Sequence, residues 1–326
     1  MTPAQQLALL RDVSRSFYLS IRLLPPGLRE PVAVAYLLAR ASDTIADTSA
    51  LPAGQRLTDL ELLVRAIEGD AAARSGIAAL AARPPAPGVD AGEQRLLHTL
   101  PQCLAWLDGL QPDDRADVHT VLRKITEGQA LDLRHFGTDG QLRSLATAPE
   151  LDTYTYLVAG CVGEFWTALC LRHLPDFATL PRDEMLALGR NYGMGLQLVN
   201  ILRDAREDIA AGRSYLPQDE IDAATLEQVH RHWRNEAARR LEGGMAYALA
   251  VNSRRVRAAS ALPALLGART LALMAQYDPL RQRVKVPRSE VRALLLRLVL
   301  GLAGRASLQA AFRSAGRVAG DGTIAP

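Results

Sequence analysis

Two short acidic pairs are the residues best suited to chemistry in this chain. Asp43 and Asp47 stand four apart in Arg40-Ala-Ser-Asp43-Thr-Ile-Ala-Asp47. Asp204 and Asp208 repeat that spacing in Gln197-Leu-Val-Asn200-Ile-Leu-Arg203-Asp204-Ala-Arg206-Glu207-Asp208. On a helix, side chains at i and i+4 share a face, with Cβ atoms roughly 5–6 Å apart. Like charges at that distance repel, so neither pair helps a helix fold. A hard divalent cation reverses the sign, and paired carboxylates with phosphate oxygens suit Mg²⁺, with Mn²⁺ as the alternative. One pair alone reads most simply as a solvated helix face; repetition weakens that reading. Gln197, Asn200, Asp204 and Asp208 also fall on one stripe at three- and four-residue steps, among Leu196, Val199 and Leu202. A polar stripe turned inward needs partners, which a metal–phosphate cluster supplies.

The elements that must position these residues read as helices. The chain has 326 residues, 48% hydrophobic and 22% charged, enough for a substantial core. Aromatics make up only 5% while Ala, Leu and Arg dominate, which favours helix over strand. The patterning predicts a first helix from a capping box at Thr2-Pro3-Ala-Gln5 up to Pro25-Pro26-Gly27, and a second over Glu30–Ala46. Arg83–Gly92 reads as a loop. Further helices are predicted over Glu93–Leu110, Asp114–Phe136, Tyr154–Leu174, Arg182–Ala211, Leu226–Asn252, Ala261–Tyr277 and Ser289–Ala311. No β-branched alternation recurs between them, so no parallel sheet is expected. The expectation is one all-α domain over residues 1–315 with a flexible tail over 316–326. Facing helices of such a bundle would bring the two pairs to opposite walls of one cavity, holding a diphosphate whose C–O bond can ionise among apolar walls.

Composition narrows the partners. A net charge of +3 is too small to imply nucleic acid. Lys124 and Lys285 are the only lysines, so 36 of the 38 basic residues are arginine, whose fork suits phosphate oxygens. Arg40, Arg203 and Arg213 lie beside the acidic pairs and are the arginines expected to hold diphosphate. Cys103, Cys161 and Cys170 form neither a disulfide framework nor a zinc spacing. With no secretory leader pattern and no run of about 20 apolar residues, a cytoplasmic protein is expected. The Arg-punctuated stretch Ser289–Ala311 is expected to pack on the bundle, with peripheral contact at the inner membrane face as the alternative.

Four separated stretches carry a family resemblance: Ser14-Arg-Ser-Phe17; Tyr36-Leu-Leu-Ala-Arg40 through Asp47; Tyr154-Thr-Tyr-Leu-Val-Ala-Gly-Cys-Val-Gly163; and Gln197–Asp208 followed by Gly212-Arg-Ser-Tyr-Leu-Pro217. From about Val13 to about Val286 the chain resembles the squalene/phytoene synthase family, which joins two prenyl diphosphates head to head. The resemblance implies the all-α isoprenoid-synthase bundle with a central cavity. It implies Mg²⁺ ligation by Asp43, Asp47, Asn200, Asp204 and Asp208, and metal or diphosphate contacts from Arg40, Gln197, Arg203 and Arg213. Tyr36 and Tyr215 match cavity tyrosines near the diphosphates. Tyr154 matches a tyrosine implicated in proton handling. Ser14 and Phe17 match the cleft entrance, and Val158, Val162 and Gly163 the lining of the prenyl channel.

Within the family the stretches SFYLSIRLLP and YLLARASDTIADT look closer to the squalene-forming branch, which takes farnesyl diphosphate and reduces with NADPH. So does Gln282-Arg-Val-Lys285-Val-Pro-Arg288 after Tyr277, where a Lys-x-Arg cluster is implied to bear on reduction. Here the basic partner is read as displaced to Arg288. Lys285 and Arg288 are therefore the implied NADPH contacts and Tyr277 an implied substrate contact, although no Gly-x-Gly-x-x-Gly fingerprint is present. Dehydrosqualene or phytoene synthesis without reductant, and a catalytically dead prenyl-lipid binder, are the alternatives. A zinc hydrolase is disfavoured, because His98, His119, His135, His173, His230 and His232 form no His-Glu-x-x-His and read as surface or capped histidines.

Overall fold

A computed structural model describes residues 3–13, 21, 24–136 and 141–317. They are almost entirely helical and fall into two compact units, Met1–Asp139 and Gly140–Pro326. The Arg83–Gly92 loop lies within the first unit and does not divide the chain.

The first unit contains α1 (Pro3–Val13), α2 (Pro26–Asp47), α3 (Ala53–Ile67), α4 (Ala71–Ala81), α5 (Ala91–His98), α6 (Leu100–Asp108) and α7 (Pro112–Phe136). α2 starts four residues earlier than expected, because Pro26 stands at its N1 position, where a missing N–H costs nothing. The helix expected over Glu93–Leu110 divides at Thr99: Pro101 has no N–H for the carbonyl four residues back. Asp90 caps α5 by accepting from Gly92 N and Glu93 N at 2.8 and 2.9 Å, which fixes the first turn and with it Glu93.

The second unit contains β1 (Arg143–Ser144), α8 (Ala148–Thr155), one π-helical turn (Tyr156–Gly160), α9 (Cys161–His173), α10 (Arg182–Ala210), β2 (Arg213–Ser214), α11 (Gln218–Ala223), α12 (Leu226–Ala250), α13 (Arg254–Gln276), α14 (Arg288–Gly301) and α15 (Arg305–Ala315). β1 and β2 pair in parallel, Arg143 with Arg213 and Ser144 with Ser214. This two-residue ladder, together with an isolated antiparallel bridge between Ala178 and Val251, departs from the all-helical expectation. It lies beyond pattern reading because two residues show no periodicity. The predicted helix over Ser289–Ala311 breaks at Leu302–Gly304 to give α14 and α15. All three thiols are buried and none forms a disulfide. Ala148–His173 and Arg254–Gln276 are long and apolar enough to cross a bilayer, contrary to the expectation that no run would qualify. Half or more of each is buried in the fold, so packing accounts for their hydrophobicity. Ser14, Phe17 and residues 318–326 lie outside the described residues.

Candidate active site

α2 is buried on nearly every side, as expected of a helix with few polar residues. From Pro31 to Thr48 only Tyr36, Ala39, Arg40, Asp43 and Asp47 escape burial. That single open stripe therefore carries all four residues expected from this helix. Asp43 Oδ1 accepts from Gln129 Nε2 of α7 at 2.5 Å. Arg40 Nη1 lies 3.9 Å from Asp43 Oδ2, while its Nη2 donates to Glu93 Oε1 at the start of α5. Lost hydration, the neighbouring Asp47 charge and, more weakly, Glu93 push the Asp43 carboxyl up to about 6, against the opposing pull of Arg40 and Gln129. A polar cavity of about 100 Å³ opens beside Asp47, Arg40, Thr44, Gly88 and Glu93. Tyr36 donates its hydroxyl toward Val13 O at 3.5 Å, at the head of the same stripe.

α10 shows the same design. Between Tyr192 and Ala205 the residues that escape burial are Leu196, Gln197, Asn200, Arg203 and Asp204, so the predicted polar stripe is again the open one. Here the carboxylates meet arginines. Arg203 Nε and Nη2 fork onto Asp204 at 2.7 and 2.5 Å, and the Asp204 charge strengthens the guanidinium's hold on its proton. Arg213 Nη2 donates to Asp208 Oδ1 at 3.1 Å. Arg213 gets there because α10 ends at Ala210 and Gly212, with a φ of 80°, turns the chain back into β2. Asn200 Nδ2 reaches Gln197 Oε1 at a long 3.4 Å.

Two expected tyrosines meet although far apart in sequence. Tyr154 at the end of α8 and Tyr215 just after β2 are both buried, and they stack with ring centroids 4.8 Å apart and planes 22° apart. The π turn that follows Tyr154 contains Val158 and offsets the register of everything after it; such turns recur at functional sites. Val162 is partly exposed. Gly163 has a packing reason of its own, since a Cβ there would stand 1.9 Å from Gly189 O, so its absence lets α9 close on α10.

A cavity of about 520 Å³ is lined by Arg203, Asp204, Glu207, Thr270, Arg283 and Lys285. Lys285 is thus brought to the second acidic motif, but its basic companion there is Arg283, two residues before it. Arg288 begins α14 instead and is exposed, as is Tyr277 at the end of α13; neither lines this cavity. Sequence reasoning missed Arg283, Glu93 and Gln129. Arg283-Val-Lys285 was visible as a basic pair of reversed order, whereas Gln129 had no local signal. His230, read as a surface or capped histidine, is buried instead. Its Nε2 lies 3.1 Å from Leu202 O, and burial lowers its proton affinity.

No three acidic, histidine or cysteine side chains group to hold a metal among the described residues. Two hard carboxylates in each acidic pair still fit Mg²⁺, which keeps waters and phosphate oxygens in its shell instead of taking an all-protein cage. Burial first, and then the neighbouring Asp47 charge, raise the Asp43 carboxyl, and a cation beside it would favour the ionised form.

The profile of the squalene/phytoene synthase family matches residues 10–290, both acidic pairs included, and the chain belongs to that family. It is 31% identical over 204 residues to a presqualene diphosphate synthase of Rhodopseudomonas palustris, covering 63% of this chain and 58% of the relative. To the 15-cis-phytoene synthase of Synechocystis it is 30% identical over 219 residues, covering 64% and 53%. The chain spans about half the length of the relatives it matches. In fold it is similar to TcSQS solved with the ligand BPH1237, with a TM-score of 0.76 at 20% identity, covering 98% of this chain and 93% of that one. That likeness supports the all-α isoprenoid-synthase bundle.

Proposed function

We propose that the protein condenses two farnesyl diphosphates head to head into presqualene diphosphate and reduces that product to squalene with NADPH. The observation that carries the condensation is the pair of open stripes. Over Pro31–Asp47 of α2 the uncovered residues are Tyr36, Arg40, Asp43 and Asp47 with Ala39, and over Tyr192–Ala205 of α10 they are Gln197, Asn200, Arg203 and Asp204 with Leu196, Asp208 following one turn further on. Burial of the remaining residues in those two segments makes the stripes the faces a substrate can reach there.

Asp43, Asp47, Asn200, Asp204 and Asp208 would hold Mg²⁺. When bound, the ion supplies charge that stabilises the departing diphosphate. Arg203 and Arg213, now engaged with Asp204 and Asp208, present forks that can transfer to diphosphate oxygens. Arg40 does the same from α2. Loss of diphosphate leaves an allylic cation, the double bond of the second substrate attacks it, and a proton leaves as the cyclopropane closes. We assign the acceptance of that proton to Tyr154 or to the released diphosphate. Stacking of Tyr154 on Tyr215 fixes the ring and presents aromatic surface to cationic carbon. Val158 and Val162 are assigned to the prenyl channel.

The reductive step rests on Arg283 and Lys285, a basic pair facing the Asp204 cavity and suited to the phosphates of NADPH. The 31% identity to a presqualene diphosphate synthase favours a second reading, in which the reaction stops before reduction. Product analysis by gas chromatography separates them, using purified protein, C15 or C20 diphosphate, and NADPH present or absent. Squalene only with NADPH is the expected result. Presqualene diphosphate as the end product under both conditions overturns the reductive step, and phytoene from the C20 substrate overturns the substrate.

A further inference from the structure

Large hydrophobic side chains are well covered throughout the described residues, with one concentrated exception. Seven are exposed: Leu142, Val162 and Tyr277 occur singly, and the other four lie on α14. Leu294, Leu298 and Gly301 face inward, Gly301 closing against Leu308 of α15, and Glu290 is paired with Arg269 of α13. The opposite face carries Leu296, Val299 and Leu300 at 61%, 65% and 64% exposure, with Leu295 at its edge at 41%. By helical angle Arg292 shares that outer face and Arg297 flanks it. Contiguous apolar surface of this kind marks a contact site.

Charge identifies what the face meets. Between Arg288 and Arg317 the chain has six arginines and one glutamate, while the whole protein carries only +3. A face for a protein partner or a second copy has no need of such an excess. An apolar strip with arginines on and beside it suits a lipid surface, where leucines enter the acyl boundary and guanidinium groups stay with anionic headgroups.

We propose that α14 is a peripheral docking helix for an anionic bilayer, inserting Leu296, Val299 and Leu300. None of these residues belongs to the site described above, so docking and catalysis can fail independently. The test is flotation of the full chain with vesicles of phosphatidylcholine alone, or with about one third phosphatidylglycerol. The protein should float with the anionic vesicles, less at high salt and little with neutral ones. The triple variant Leu296→Gln, Val299→Gln, Leu300→Gln should lose binding about tenfold or more. It should keep its diphosphate-releasing activity, because only solvent-facing side chains change. A second variant, Arg292→Glu with Arg297→Glu, should lose the anionic preference while keeping the leucines. Absence of flotation, or flotation that the triple variant leaves unchanged, overturns the proposal. So does a concentration-dependent dimer that the triple variant abolishes without vesicle binding, since a second copy would then cover the face.

Discussion

The two acidic pairs share a spacing and differ in their neighbours. On α2 the arginine is divided: Arg40 holds Glu93 and stays 3.9 Å from Asp43, whose close partner is the neutral Gln129. On α10 both aspartates have an arginine at hydrogen-bond distance, Arg203 on Asp204 and Arg213 on Asp208. The same i, i+4 motif therefore has a carboxyl raised by burial and its neighbour in one unit, and an arginine hydrogen-bonded to each aspartate in the other. Under the proposed function, the α2 pair should gain most from a cation, whereas the α10 pair can exchange its arginines for one and offer them to the substrate.

The largest effects should come from removing a carboxylate. Asp204→Asn should lower turnover by roughly 10³-fold or more, read as diphosphate release, because the site loses a charge that acts on the departing group. Asp43→Asn should be comparably severe. Normal turnover in either variant would remove the metal role from that acidic pair and break the comparison at its root.

Next in size is the fork. Arg203→Lys keeps the charge but loses the two parallel donors that now meet Asp204 at 2.7 and 2.5 Å. About 10- to 100-fold in kcat/KM is expected, since a planar bidentate contact has no lysine equivalent. An unchanged kcat/KM would mean that Arg203 serves Asp204 alone.

Gln129 sharpens the contrast from the other side. Gln129→Leu keeps the volume of a buried side chain but removes the donor to Asp43 Oδ1. Affinity for Mn²⁺, followed by electron paramagnetic resonance, should fall about tenfold, as when a partner orienting a metal ligand is lost. Asp204→Asn in the same background should add its own loss. A wild-type titration curve for Gln129→Leu would show that the amide does not orient the carboxylate.

What could be read in advance follows from where the signal resides. The stripes of α2 and α10 were legible because helical period and residue type agree within a few turns, and the structure leaves those same residues open. The contact between Tyr154 and Tyr215 was not, since Tyr215 is led there by a two-residue ladder that leaves no periodicity. Gln129 escaped for a related reason: it sits on α7, eighty-six residues from Asp43, with nothing local to distinguish it from any other helical glutamine. The basic pair at Arg283 and Lys285 was misread by one partner because spacing was matched in one direction along the chain only.

The smallest effect concerns stability, and it runs opposite to activity. Asp43 has its carboxyl raised from 3.8 to about 6 in the fold. The folded state thus binds this proton more tightly than the unfolded chain, and the stability so gained is complete below pH 3.8 and lost as pH rises through about 6. At pH 7.5 the metal-free protein carries an ionised Asp43 that it would hold more easily as a neutral group. The full shift corresponds to ~3 kcal/mol. The side chain is 45% exposed, and solvent screening reduces the figure to about 1 kcal/mol. Asp43→Asn should therefore raise the Tm of the metal-free protein at pH 7.5 by about 2 °C, and leave it nearly unchanged at pH 4, where Asp43 is already neutral. Saturating Mg²⁺ should stabilise the wild type more than the variant, because the cation relieves the same repulsion. A variant that melts lower than wild type at pH 7.5 without metal would show that Gln129 already compensates the Asp43 charge, and the electrostatic contrast between the two acidic pairs would disappear.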